Sequence, residues 1–416
     1  MRTIKRIPPY MRLYAMGWLL YLVNYLPRYN YAAAMVAIGA AEGYGPDQLG
    51  LTASVLAATY GGGQLISGWM GERLNPKVMI GVGVLGAAAS NVGMALSHSL
   101  AFMRAAWGVN GLCCALIWAP MVRLLTVYMP ADRLRKAILS FSYATALGLT
   151  ATYLLTSVLI AHFSWRTAFW VPAGCSLLTF IGWVAVSATA GRTLPKPALA
   201  NRTASPPIRS PRPAQRTIYW RSGLPLILAA IIAMGILKDG VLTWVPQILT
   251  DTFQMKASVS VFLSAVLPLV NVSSVWVVRG LEDRLNGDDM RAAGLLFAGS
   301  GIGLLLLIVG GGWHPGFTLL LFSLVSSLMA GANAILVSFV PLSFAKTGRA
   351  ATVAGLTNAF TYLGGALSGW GLGWLAGAYG WNAANAGLLV LGWLGGLACF
   401  LARPAWRRIQ SVSKQK

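Results

Sequence analysis

Arg28 and Lys238 each lie about 15 residues inside a long apolar stretch, too deep for either side chain to reach water by stretching along its own helix. In a helix surrounded by lipid, a cation at that depth costs about 2.5 to 3.5 kcal/mol on insertion scales. Something must face it. The chemistry that fits is anion binding in a polar cavity, where a phosphate or carboxylate meets a bidentate guanidinium fork and an ammonium point charge. Tyr21, Tyr25 and Arg28 are spaced by four and three, so a helix stacks them on one stripe, either as substrate contacts or as plain aromatic packing. Only ten acidic residues exist, and Asp239 is the lone one expected at membrane depth. Adjacent helical residues point about 100° apart, which places Asp239 poorly for neutralising Lys238. A structural role for the two cations, satisfied by carbonyls or a neighbouring carboxylate, is the bland alternative.

The elements that must position these residues follow from composition. Of 416 residues 56% are apolar and 10% charged, with mean hydropathy +0.65, against about 25% charged in a soluble domain. Apolar runs near the roughly 20 residues that cross a bilayer recur at 13–37, 49–70, 78–97, 102–128, 138–161, 167–189, 223–249, 257–278, 292–312, 317–343, 351–376 and 383–402. Twelve spans predict an all-α integral membrane protein. Of the 32 Lys and Arg, 26 fall on one side of this scheme, Arg166 and Lys256 on the other, and Arg28, Arg104, Arg123 and Lys238 inside helices. Basic loops face the cytoplasm, so both termini and the central segment are expected there, in a cytoplasmic (inner) membrane. The same rule accounts for the net charge of +22 without nucleic acid. It also disfavours a cleaved signal peptide ending near Ala32–Ala34, which would leave an odd number of spans.

An internal repeat divides the chain. Gly68 to Asn75 (GWMGERLN) follows the second span and Gly280 to Asn286 (GLEDRLN) the eighth, while Arg28 precedes Arg73 by 45 residues and Lys238 precedes Arg284 by 46. The expected organisation is a six-helix bundle at 1–190, a basic linker at 191–222, a second six-helix bundle at 223–402 and a basic tail at 403–416. The two bundles are pseudo-symmetric. The linker, rich in Pro, Arg and Ser, reads as solvated chain or as a contact for anionic lipid.

The duplicated Gly-x-x-x-Glu/Asp-Arg loop in a twelve-span chain resembles the major facilitator superfamily. Within it, Tyr21-x-x-x-Tyr25-x-x-Arg28-x-Asn30, the loop from Glu72 and Arg73 to Asn75-Pro76-Lys77, and Lys238-x-Gly240-x-x-x-Trp244-x-Pro246 resemble the organophosphate to inorganic phosphate antiporters. Tyr362-Leu363-Gly364-Gly365, and Trp118 followed by Arg123, are similar as well. The resemblance implies a substrate site of Arg28, Lys238, Tyr21, Tyr25, Trp118 and Tyr362. It also implies cytoplasmic latch loops at Glu72, Arg73, Asp283 and Arg284, and a structural or coupling role for Arg104. Three positions depart from the family pattern: Gln64 where a Lys is expected, Thr145 where a His is, and Gly235 where a Tyr is. A less charged anion, such as a carboxylate or phosphonate, becomes plausible.

The expected function is exchange of a small organic anion, an organophosphate for phosphate, by alternating access of the two halves. The alternatives are proton-coupled symport of sugar acids, with Asp239 as the coupling group, and a transporter-shaped sensor of a sugar phosphate. No enzyme, cofactor or metal is expected. Cys113, Cys114, Cys175 and Cys399 have neither metal nor redox spacing. Gly61-Gly62-Gly63 lacks the Gly-Lys-Ser/Thr of a phosphate loop, and Gly365, Gly369, Gly373 and Gly377 form a small-residue stripe for close packing, with gating as the second reading. The expected partners are the small anion and the bilayer, and the chain is expected to be a monomer.

Overall fold

The computed structural model describes residues 8–193, 222–310, 312–344 and 349–414, which are helical throughout, with no strand among them. Most of the predicted linker, 194–221, lies outside the described residues, as does Lys346. The first half holds α1 (Pro9–Val23), α2 (Leu26–Glu42), α3 (Pro46–Arg73), α4 (Pro76–Ala95), α5 (Leu100–Tyr128), α6 (Ala131–His162) and α7 (Thr167–Thr193). The second half opens with α8 (Leu224–Phe253), followed by α9 (Ala257–Ser264), α10 (Val266–Asn271) and α11 (Ser274–Arg284). Next come α12 (Asp289–Gly310) and α13 (Pro315–Asn333), the latter continuing through a π-turn at Ala334–Phe339 into α14 (Val340–Ser343). The chain ends with α15 (Ala350–Tyr379) and α16 (Trp381–Lys414). Joining α1 with α2, α9 with α10 and α11, and α13 with α14 gives twelve successive rods.

Two rods differ from the expected continuous spans, and a proline lies at a break in each. The first breaks at Asn24 and Tyr25, because Pro27 has no N–H to donate back to the carbonyl of Val23. Around Pro268 the eighth is divided into three short helices. At the far end α16 does not stop at 402 but runs on through the stretch read as a tail to Lys414.

Nine rods among the described residues are long and apolar enough to cross a membrane. The others are the broken α1–α2 and the helices α3 and α15, whose Gly, Ser and Thr content lowers their hydropathy. That composition has a packing cause. α3 and α15 cross antiparallel between the two halves, with Gly50 on Gly369, Pro46 on Gly373 and Gly61 on Tyr362. A Cβ on Gly369 would stand 2.5 Å from Ser54 Oγ, so the backbones approach as only glycine permits.

Candidate functional site

Arg28 is placed by the break that precedes it. The Pro27 carbonyl accepts Nδ2 of Asn91 at 2.9 Å and Nδ2 of Asn110 at 2.7 Å, which pins the start of α2 to α4 and α5. Asn30, two residues beyond the arginine and wholly buried, donates to Asn91 Oδ1 at 2.7 Å and to the Ala168 carbonyl at 2.8 Å. These amides satisfy buried backbone that a broken helix would otherwise leave without partners.

The Arg28 side chain is 8% exposed and ends among rings. Its guanidinium carbon lies 3.6 Å from the Tyr60 ring centroid, 5.1 Å from that of Tyr29 and 6.0 Å from that of Tyr25. No carboxylate pairs with it among the described residues, and its Nε has no hydrogen-bond partner. Each cation–π contact offers about 0.5 to 2 kcal/mol, which offsets part of the cost of placing arginine at this depth, but the rings carry no negative charge to replace an anion.

A cavity of about 60 Å³ adjoins it, walled by Arg28, Tyr29, Tyr31 and Ala32 of α2, Ala53, Leu56, Ala57 and Tyr60 of α3, and Trp107 of α5. From the second half come Asp239 and Thr243 of α8 and Tyr362, Gly365 and Gly369 of α15. Both halves therefore wall it. At that size it holds a few waters or the head group of a small anion.

Lys238 departs from expectation. Its Nζ lies 3.3 Å from Asp239 Oδ1, so the carboxylate expected to point elsewhere neutralises it. The long Lys238 side chain reaches round to the short Asp239 side chain, which spans the 100° between their Cα–Cβ directions. Asp239 Oδ2 faces bare backbone, and a Cβ on Gly365 would stand 2.6 Å from it. Lys238 is not among the residues walling the cavity.

The remaining predicted residues divide into two groups. Tyr362 joins Arg28 and Asp239 on the wall, edge-on to Tyr60 at 4.8 Å. Tyr21 and Trp118 pack against each other at 5.1 Å and against Phe141, and Tyr25 donates to Thr145 Oγ1 at 3.1 Å; these three stand toward the basic end, off the enclosed wall. Thr145 thus occupies its place as a hydroxyl partner. Gly235 stands where a side chain would meet the Thr361 carbonyl at 2.5 Å, which accounts for the absence of a tyrosine there.

Arg104 donates to the Gln48 carbonyl at 3.3 Å, joining α5 to α3. Arg73 lies over Trp69 with its guanidinium carbon 4.2 Å from the ring centroid, and Asp283 and Arg284 are exposed. The Glu72 side chain lies outside what is described. Other groups tie the helices at the basic end. Arg123 donates to the carbonyls of Gly71 and Leu74, meeting the C-terminal carbonyls of α3 with a positive charge. Asp288, which the sequence reading passed over, takes Arg403 Nε at 2.7 Å and Arg407 Nη2 at 2.7 Å.

At the opposite end three hydroxyls of the first half bond backbone of the second. Tyr153 donates to the Leu242 carbonyl at 2.6 Å and Ser157 to that of Ser258 at 2.8 Å. Ser54 Oγ donates to the Ala366 carbonyl at 2.5 Å and accepts from the Trp370 amide at 2.7 Å, standing between the two ends of a helical hydrogen bond of α15. Of the small-residue stripe, Gly369 and Gly373 pack against the first half, Gly365 lies against Asp239 of its own half, and a Cβ on Gly377 would meet no atom within 4 Å. Past Gly61 toward the basic end, Leu65 and Trp69 of α3 are each 58% exposed.

Comparison with known proteins agrees with this architecture. The sequence pattern described as Major Facilitator Superfamily matches residues 17–369. A probable hexose phosphate transport protein of Chlamydia pneumoniae is 22% identical, over 95% of this chain and 91% of that protein. The glycerol-3-phosphate transporter of Bacillus subtilis is also 22% identical, over 87% of this chain and 85% of its own length. Among solved structures, a bacterial homologue of the human lysosomal transporter Spinster, inward-facing and occupied, superposes with TM-score 0.76 at 14% identity, covering 97% of this chain and 99% of that one. That likeness speaks to the fold alone. With the family pattern spanning most of a two-bundle helical chain built around a central cavity, the protein is a multi-pass membrane transporter, not an enzyme, and belongs to the major facilitator superfamily.

Proposed function

We propose that the chain moves a small organic anion, an organophosphate in exchange for inorganic phosphate, by alternating access around the cavity at Arg28. The single observation that carries this reading is a buried guanidinium on an interhalf cavity that, among the described residues, has no carboxylate within ion-pair distance. Its fork supplies parallel donors to two oxygens of a phosphoryl group, with Tyr60 and Tyr362 beside it. Relatives named as hexose phosphate and glycerol-3-phosphate transporters support the substrate class. Taking the basic end as cytoplasmic, the end packed through Ser54, Tyr153 and Ser157 faces outward. An anion bridging Arg28 to the second half lowers the cost of bringing the basic ends together, and its departure restores the open state.

Proteoliposomes loaded with phosphate test this. Uptake of external labelled phosphate with no pH gradient is the expected result, together with its loss in Arg28→Ala while membrane insertion persists. Undiminished exchange by that variant would remove the site. Asp239 on the cavity wall favours a second reading, proton-coupled uptake, for which transport must demand the gradient and fail in Asp239→Asn.

A further inference from the structure

The wall that Arg28 shares with Asp239 bears on which anions fit, an inference that rests on the anion-site reading above. Read from sequence alone, the centre carries two uncompensated cations. In the folded chain Lys238 and Asp239 meet at 3.3 Å and cancel, and it is Asp239, not Lys238, that faces the cavity. The carboxylate is held there by close packing, with Oδ2 over Gly365, a position where a Cβ would stand 2.6 Å from it. The other titratable groups on the wall are Tyr29 and Tyr31 of α2, Tyr60 of α3 and Tyr362 of α15, which contribute rings and hydroxyls but no charge. Summed over Arg28 and Asp239 on the wall and Lys238 behind it, the centre therefore carries one positive charge, and the Arg28 Nε has no hydrogen-bond acceptor among the described residues.

We propose that Asp239, by cancelling Lys238, sets the centre at a single positive charge, so that the cavity takes monoanions, such as singly charged phosphate esters and sulfonates, in preference to dianions. A dianion entering the same space would bring one negative charge that Arg28 does not neutralise, beside a carboxylate that repels it. A charge stripped of water and left unpaired among rings is strongly disfavoured. Selectivity here is a difference between two affinities, and Asp239 acts on it from the repulsive side.

Binding to the purified, detergent-solubilised protein tests this with two probes. Methyl phosphate is a phosphate monoester with a second pKa of about 6, so between pH 5 and pH 7 its monoanion falls from about nine-tenths to about one-tenth of the total. Dimethyl phosphate is a monoanion throughout and reports any titration of the protein itself. The expected result is an apparent Kd for methyl phosphate that rises about tenfold from pH 5 to pH 7, while that for dimethyl phosphate stays within twofold. Asp239→Asn should reverse the first trend, with methyl phosphate binding more tightly at pH 7. Should that variant fail to purify as a monodisperse protein, Thr243→Lys must give the same reversal, since it adds a charge one turn along the same wall with the ion pair intact. A wild-type Kd for methyl phosphate that is flat or falls with pH, alongside a flat dimethyl phosphate control, would overturn the proposal while leaving the anion site standing. Binding of neither probe, by wild type or variants, would overturn the anion site and this proposal with it.

Discussion

At the scale of single residues, the sequence showed that Arg28 is special but not what holds it. A lone arginine deep in an apolar run is conspicuous against an otherwise uncharged background. Tyr60 and Tyr29, whose rings lie nearer the guanidinium than that of Tyr25, were illegible because their closeness comes from the break at Asn24–Tyr25 and from the α3 crossing, neither of which helical spacing records. Lys238 was misjudged for a related reason: a Cα–Cβ direction says where a side chain starts, not where one as long as lysine finishes. The arrangement around Arg28 gives a sharper test than removal of its charge. Arg28→Lys keeps the charge but loses the planar fork and the broad face that lies over Tyr60. One charge-assisted hydrogen bond and part of a cation–π contact together amount to about 1.5 to 3 kcal/mol. At 1.4 kcal/mol per factor of ten, phosphate affinity should weaken about 10- to 100-fold. Isothermal titration of the purified variant measures this; affinity within threefold of wild type would mean that charge alone suffices and that the fork is incidental.

Elements were legible where hydropathy is even and obscure where interior contacts override it. The twelve apolar runs correspond to twelve rods, yet the averaging that finds an apolar run passes over two residues of break, so Pro27 was not read as an interruption. Likewise the charge count ended the last span at 402, whereas α16 continues because Asp288, buried at the start of α12, anchors Arg403 and Arg407 one turn apart. Trp406, between them and fully buried, donates to Asp289 Oδ2 at 3.3 Å. This tie has a pH dependence of definite sign. Burial pushes the Asp288 carboxyl up, but the hydrogen bond from Arg403, the Arg291 amide and the charges of Arg403 and Arg407 outweigh it and hold the group below the ordinary aspartate value. The stabilisation is therefore complete above about pH 4, where the unfolded chain's aspartate is already ionised, and is lost as pH falls through the lower folded value. Asp288→Asn should lower the thermal midpoint at pH 7, and the gap to wild type should close as pH is taken below 4. A gap that stays constant down to pH 3 would show that the ion pairs contribute nothing and that the loss is one of packing.

For the whole molecule, the repeat was readable because two loop signatures and two deep cations recur at nearly equal spacing, which is enough to divide the chain into related halves. What the repeat could not reveal is how far the halves have diverged in use: the first leaves its cation open to the cavity, the second closes its own with Asp239. Nor could it show the interface, since contacts between halves depend on residues with no counterpart in the other half. Ser54, Tyr153 and Ser157 all come from the first half, and each bonds backbone of the second without any charge. Hydrogen bonds of this kind contribute about 1 kcal/mol each, so the three together bias the closed end by about 3 kcal/mol, on the order of 100-fold in population. Combining Ser54→Ala, Tyr153→Phe and Ser157→Ala should shift the equilibrium toward opening at that end. A cysteine introduced at Ala53, on the cavity wall, reports the shift in a background lacking Cys113, Cys114, Cys175 and Cys399. Labelling by a membrane-impermeant maleimide, added outside right-side-out vesicles, should accelerate at least tenfold in the triple variant, and faster labelling from this face also identifies the packed end as the outer one. If the rate is unchanged from either face, the glycine crossing of α3 and α15 holds that end shut without the hydroxyls.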